Sequence, residues 1–296
     1  MRSHATNRGS MRNKFVLLSL LLCHTLLVQA ADEGVLLPQN EELASAFLAH
    51  ATSPKLGSAI ALIYDTQGQR PIYMKNAETV APIASISKLM TAMVVLDAQL
   101  PLDEMIRITA QDMDKLKGTH SRIRPGMTLT RAELLKLALM ASENTAAAAL
   151  ARTYPGGMGA AVAQMNDKSQ QLGMRDTRFL DPTGLNSGNV STAQDLVKMV
   201  LAAQNYSEIR DATTSSSHYV EMAGHRPMRF NNTNPLVRNS SWDIKVSKTG
   251  YISEAGRCLV MQATIRQRPV IIVLLDSWGK RTRLGDANRI KKWMES

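Results

Sequence analysis

The 296-residue chain is poor in cysteine and in aromatic residues. It has two cysteines, and only Cys258 lies beyond the first thirty positions. The body of the chain therefore holds no internal disulfide, and its stability must come from a hydrophobic core. Aromatics make up 4% of the chain and no run of five like charges occurs, even though the net charge is +10. The chain thus lacks the stacking groups and the basic stripe of a nucleic-acid binder. No apolar run reaches the roughly 20 residues that a membrane helix needs. The histidines past residue 30 are His50, His120, His218 and His225, with no H-E-x-x-H or comparable spacing. His218 precedes Glu221 by three, which reads as an ordinary strand or loop feature, so a zinc peptidase finds no ligand set.

The first thirty residues stand apart. "MRNKFVLLSLLLCHTLLVQA" carries basic residues, then the apolar run Phe15 to Val28, then a small residue at Ala30. This is the pattern of a secretory signal peptide, with cleavage expected near Ala30 and Met11 as an alternative start. Bulky Leu22 before Cys23 argues against a lipoprotein. Removing Arg2, Arg8, Arg12 and Lys14 from the 35 basic residues leaves 31 against 25 acidic ones, a dispersed +6. That balance describes a solvated surface. The expected division is 1–30 signal peptide, 31–55 lead and 56–296 a single domain, long enough for a sizeable core.

In the lead, "EELASAFLAHA" has helical spacing. "GSAIALIYD", "TQGQR" and "PIYMKNA" then read as strand, turn and strand. Helical spacing follows over Ser87 to Leu96, Arg131 to Ala151, Ala160 to Leu172 and Thr192 to Ala203, and Thr130 with Glu133 forms a capping box. After about Asn231, "WDIKVSKTGY", "GRCLVMQATI" and "PVIIVLLDSW" read as strands, and "RLGDANRIKKWM" as a closing helix. Strands at both ends with helices between predict one sheet completed by the two termini. Cys258, inside an apolar strand, reads as a small core residue.

Chemistry enters at "PIASISKLMTAMVVLDAQL". Ser85 and Lys88, three apart at a helix start, share a face. A serine hydroxyl is a weak nucleophile until a neighbour takes its proton, and Lys88 could take it if burial or a nearby cation kept the amine neutral. The spacing alone is weak, because Ser277 and Lys280 repeat it in "SWGK". Two further elements give it weight: "SEN" with Ser142 and Asn144 between two apolar helical runs, and "KTG" with Lys248, Thr249 and Gly250 at a strand end. The order eliminates Ser277, which follows "KTG". A second S-x-N, Ser187 to Asn189, lies in a Gly-rich loop and is the weaker candidate.

S-x-x-K, S-x-N and K-T-G in this order are the active-site signature of penicillin-binding proteins and serine β-lactamases. With "RPIYMKNAETVAPIASISKLMTAMVVLDAQLPLDE", "ALMASENTAAAALARTYPGG", "LGMRDTRFLDPTGLNSGNVSTAQDL" and "SKTGYISEAGRCLVM", the chain from about Gly57 to Trp293 resembles the low-molecular-weight DD-peptidases, above all their endopeptidase branch. The resemblance implies an α/β (α+β) fold: an antiparallel sheet flanked by helices plus an all-helical lobe, with the site between them. It implies Ser85 as nucleophile, Lys88 as general base, Ser142 as proton relay and Asn144 as orienting group. Lys248 would keep the site positive, Thr249 would bind a substrate carboxylate, and Gly250 and Tyr251 would line the substrate, with the N–H groups of Ser85 and Tyr251 as oxyanion hole. It implies no cofactor and no metal.

The expected partners are peptidoglycan peptide stems, with β-lactam antibiotics as covalent inhibitors, in a periplasmic enzyme without a membrane anchor after signal cleavage. The expected reaction is hydrolysis of D-alanyl to diaminopimelate cross-links. A DD-carboxypeptidase removing terminal D-alanine shares the same motifs, and a catalytically silent penicillin-binding sensor is the alternative of another class. "DPTGLN" has Pro182 where class A β-lactamases carry the glutamate that activates water, which implies slow deacylation of penicillin. Glu143 receives no role, and Arg257 is read either as a substrate contact or as an exposed residue.

Overall fold

The computed structural model describes residues 53–222 and 225–296. The segment read as a signal peptide and the helical patch "EELASAFLAHA" lie outside the described residues. Residues Pro54–Ser296 form one compact unit.

β1 (Ser58–Asp65) and β2 (Arg70–Lys75) form the expected hairpin, followed by the two-residue strand β3 (Ala81–Pro82). A 3-10 turn, Ala84–Ser87, leads into α1 (Lys88–Asp97). The pair β4 (Met105–Arg107) and β5 (Thr128–Thr130) precedes α2 (Arg131–Met140), α3 (Asn144–Arg152) and α4 (Gly157–Gln171). β6 (Val190–Ser191) pairs with β3 and leads to α5 (Ala193–Ala203), capped by Thr192, and α6 (Ser207–Thr214). The hairpin β7 (Ser217–Met222) and β8 (His225–Asn231) follows, then β9 (Asp243–Ile252), β10 (Gly256–Ile265), β11 (Arg268–Ser277) and α7 (Thr282–Glu295).

The main sheet runs β2-β1-β11-β10-β9, antiparallel throughout, so the N-terminal hairpin and the three C-terminal strands complete one sheet as expected. Its central strands are covered on both faces. Ile271, Val273 and Leu275 of β11 pack toward the helices, while Val270, Ile272 and Leu274 pack toward α7. This explains the unbroken apolar runs of β10 and β11, since a half-exposed strand would alternate. Each such buried side chain contributes about 1.5–3 kcal/mol. β9 is an edge strand, and it carries K-T-G.

Three expectations need correction. Ser85 does not sit on the α-helix but on the preceding 3-10 turn, which Ala84 opens with φ 48°. The expected helix Arg131 to Ala151 is two helices: after Met140 the chain turns through Ser142 at φ 60°, and the Glu143 N–H returns to the Leu137 carbonyl at 3.1 Å. The segment before Asn231 holds α6 and the β7–β8 hairpin, where polar composition and Pro227 conceal the apolar period. The Thr130 to Glu133 capping box forms as read, with hydroxyl and carboxylate each bonded to the other's backbone N–H.

Candidate active site

The 3-10 turn brings Ser85 and Lys88 together more directly than an α-helix would, because side chains three apart eclipse one another in that geometry. Lys88 Nζ donates to Ser85 Oγ at 2.9 Å, to Asn144 Oδ1 at 2.7 Å and to the Thr183 carbonyl at 2.6 Å. Its side chain is 1% exposed. Burial pushes the amine down from its ordinary value to about 7, against the opposing pull of Asp181, Glu143 and Asp114.

Ser142 stands on the break between α2 and α3, and its Oγ accepts from Lys248 Nζ at 2.8 Å. Lys248 is as buried as Lys88, and it also donates to the Thr249 carbonyl at 2.9 Å. Burial, then the nearby charges of Lys88 and Arg283, hold Lys248 well below the usual lysine range. Ser85, Lys88 and Asn144 thus form one hydrogen-bonded group and Ser142 and Lys248 a second, close enough for the charge of Lys88 to bear on Lys248, drawn from a turn, a helical junction and an edge strand.

Two glycines let the backbone close around Ser85. A Cβ at Gly250 would stand 2.9 Å from the Ile83 carbonyl and 3.1 Å from the Ser85 nitrogen, so β9 can lie against the turn only without a side chain there. On the other side Gly184, at φ 79°, approaches the Ala84–Ser85 peptide so closely that a Cβ would stand 1.9 Å from the Ala84 oxygen. Thr249 Oγ1 donates to Thr233 Oγ1 at 2.7 Å, and the Thr233 N–H is bonded to the Met140 carbonyl just before Ser142. Tyr251 follows with its side chain exposed, and the Arg257 guanidinium lies 4.4 Å from the centre of its ring.

The rejected matches have structural roles. Ser277 Oγ shares a hydrogen bond with Ser58 Oγ at 2.7 Å, and Ser58 donates to Asp286. Asn189 braces the 181–189 loop, accepting from the N–H groups of Leu180 and Asp181 and donating to Ser87 Oγ at 2.9 Å. Asp181, next to Pro182, accepts the N–H groups of Thr183, Gly184 and Asn186 and the Thr183 hydroxyl. Those bonds commit the carboxylate to holding its own loop. Cys258 is fully buried, and burial pushes its thiol up to about 12. Among the described residues no group of three His, Cys, Asp or Glu side chains gathers to hold a metal ion.

The motif reading missed four contributors. The Thr183 carbonyl binds Lys88, and Thr233 binds Thr249. Glu143, between Ser142 and Asn144, is partly buried, accepts from Ser121 Oγ at 2.7 Å and is pushed upward by burial. Arg283, in the first turn of α7, is 8% exposed and leaves Nε and Nη1 without a partner among the described residues. A lone arginine 35 positions after Lys248 carries no local signal, and only the fold brings its charge to bear on that lysine.

The family model described as Peptidase_S11, D-alanyl-D-alanine carboxypeptidase, matches residues 48–279. The chain belongs to this serine peptidase family. It is 45% identical over 243 residues to a D-alanyl-D-alanine endopeptidase of Pseudomonas aeruginosa, covering 82% of this chain and 78% of that protein. It is 44% identical over 247 residues to the D-alanyl-D-alanine endopeptidase of Escherichia coli, covering 83% and 80%. Among solved structures it superposes on the Streptomyces K15 DD-transpeptidase with TM-score 0.73 and 28% identity, over 81% of this chain and 97% of that one. The expected fold class is thereby established: an antiparallel sheet flanked by helices with a helical lobe.

Proposed function

We propose that the protein is a serine DD-endopeptidase that hydrolyses the D-alanyl to diaminopimelate cross-link of peptidoglycan through an acyl-enzyme, and that penicillin acylates it at the same serine. The observation that carries this reading is the buried Lys88 amine, 2.9 Å from Ser85 Oγ and brought down to about 7. An amine in that state accepts the serine proton as Ser85 attacks the D-alanyl carbonyl. The N–H groups of Ser85 and Tyr251 receive the oxyanion, where loss of one donor costs about 3 kcal/mol. Ser142, bonded to Lys248, gives its proton to the departing diaminopimelate amine and takes in return the one that Lys88 received from Ser85, so the C–N bond breaks to leave the D-alanyl ester on Ser85 and a neutral Lys88. Water then attacks that ester, Lys88 again acts as base, and Ser85 recovers its proton.

Asn144 orients Lys88 and the substrate amide, and Gly250 keeps β9 close enough for the substrate to add along its free edge. Lys248 brings a second amine to this end of the site and holds Ser142 in place. The Thr249 hydroxyl, turned from its Thr233 partner, suits a carboxylate on the leaving residue. Asp181, engaged by its own loop, is a poor activator of water, which supports slow release of a penicilloyl group. The polypeptide is read as exported, cleaved near Ala30, with 31–55 a lead and 56–296 the catalytic domain, acting in the periplasm. No helix among the described residues is long and apolar enough to cross a membrane.

The family model's own description favours removal of terminal D-alanine as a second reading, and both reactions use the same side chains. Purified enzyme should be given cross-linked dimeric muropeptides and free pentapeptide. Cleavage of the dimer supports the endopeptidase. Cleavage of the pentapeptide alone makes the protein a carboxypeptidase, and cleavage of neither leaves a penicillin-binding module.

A further inference from the structure

The mouth of the cleft, beyond the reacting atoms, is closed by two opposite charges. Residues 113–124 form a strap pinned to the S-x-N junction. The Asp114 carboxylate accepts the N–H groups of Leu116 at 2.7 Å, Lys117 at 3.1 Å and Thr119 at 2.7 Å, which folds the strap into a tight turn. Thr119 Oγ1 accepts from Asn144 Nδ2 at 2.9 Å, and Ser121 Oγ donates to Glu143. From this turn Lys117 makes an ion pair with Glu254, which lies in the connection between β9 and β10, three residues past Tyr251. The pair joins the wall that carries Asn144 to the wall that carries K-T-G.

Its place along β9 fixes what must pass it. With the leaving group at Lys248 and Thr249 and the acyl carbon beside Gly250 and Tyr251, the acyl-donor stem runs on toward Ser253 and Glu254. Three residues of strand span about 10 Å, which is within reach of the side chain that precedes the D-alanyl residue. On the strap side a groove of about 290 Å³ opens from Asn144 and Thr183, with Met113, Leu116, Met158 and Leu185 among its walls. The groove's carboxylates Asp112, Asp114 and Asp181 are bonded to Arg152 or to their own loops, and Lys117, next to the lining residue Leu116, offers with Glu254 a cation and an anion; such a set matches a chain of methylenes that ends in an amino acid. Diaminopimelate is that side chain.

We propose that Lys117 and Glu254 determine specificity for the donor stem: they release one another and hold the zwitterionic end of diaminopimelate, Lys117 its carboxylate and Glu254 its ammonium. The inference rests on the peptidase reading above. An exposed ion pair is weak, so the exchange costs little and each new pair is a modest discriminator. The chemistry separates diaminopimelate from lysine in the stem, because lysine offers the ammonium without the carboxylate.

The test compares muropeptides with a free diaminopimelate carboxylate against the same muropeptides amidated there, using wild type, Lys117→Ala and Glu254→Gln. The donor stem is identical in dimer and pentapeptide, so the comparison is read on whichever is cleaved, and the choice between them judges the earlier reading separately. Wild type should favour the free carboxylate in kcat/KM by about two- to fivefold, carried by KM. Lys117→Ala should bring that ratio to about one. Glu254→Gln should raise KM for both stems and keep the preference. A wild type indifferent to amidation, or a Lys117→Ala variant with an undiminished preference, would overturn the proposal.

Discussion

The pH dependence of acylation should report Lys88 directly. The structure brings this amine from 10.5 to about 7, chiefly because its buried surroundings cannot solvate the charged form. At pH 7 about half of the Lys88 side chains would then be neutral, against about one in three thousand for a solvent-exposed lysine. That difference corresponds to about 5 kcal/mol between the two protonation states. Because the neutral amine is the base, acylation must quicken as pH rises through about 7 and level off above it. The assay is stopped-flow acylation by a fluorescent penicillin from pH 5.5 to 9.5. Below the limb the second-order rate should fall close to tenfold per pH unit. Lys88→Arg, which cannot deprotonate, should lose about a hundred- to ten-thousandfold and show no limb. A wild-type rate flat from pH 6 to 9, or a limb near 10, would refute the assignment of Lys88 as base.

Glu143→Gln removes a charge that draws Lys88 upward, so the limb of the same profile should move to lower pH; a limb moving upward would contradict that electrostatic role. Gly250→Ala should reduce acylation at least tenfold while thermal unfolding shifts by only a few degrees, since its Cβ would drive β9 away from the Ser85 turn. Asp181→Asn places an amide among backbone donors and should lower stability by about 1–3 kcal/mol, read as a lower unfolding midpoint in urea.

What was legible in the sequence is what is carried by local period and by contiguous motifs. The apolar runs of β10 and β11, the Thr130 to Glu133 capping box and the order of the three motifs each lie within a few residues. They sufficed to place the sheet, its closure by the two termini, and the Ser85–Lys88–Asn144 and Ser142–Lys248 groups. The rest depends on backbone conformation or on distant contacts. The left-handed turns at Ala84 and Ser142 occur at residues with no glycine to announce them, and they decide how Ser85 and Ser142 are presented. The Thr183 carbonyl is a main-chain group that no residue type advertises. Arg283 bears on Lys248 by its charge and Lys117 pairs with Glu254, each across elements, so only the tertiary fold gives them meaning. The polar β7–β8 hairpin shows the same limit for structure.

The most direct test of the account is intact-protein and peptide mass spectrometry after incubation with benzylpenicillin at pH 7.5. One penicilloyl adduct per molecule is expected, carried as an ester on the peptide that contains Ser85 and absent from Ser85→Ala. An adduct on another residue, or one that persists in Ser85→Ala, would contradict it.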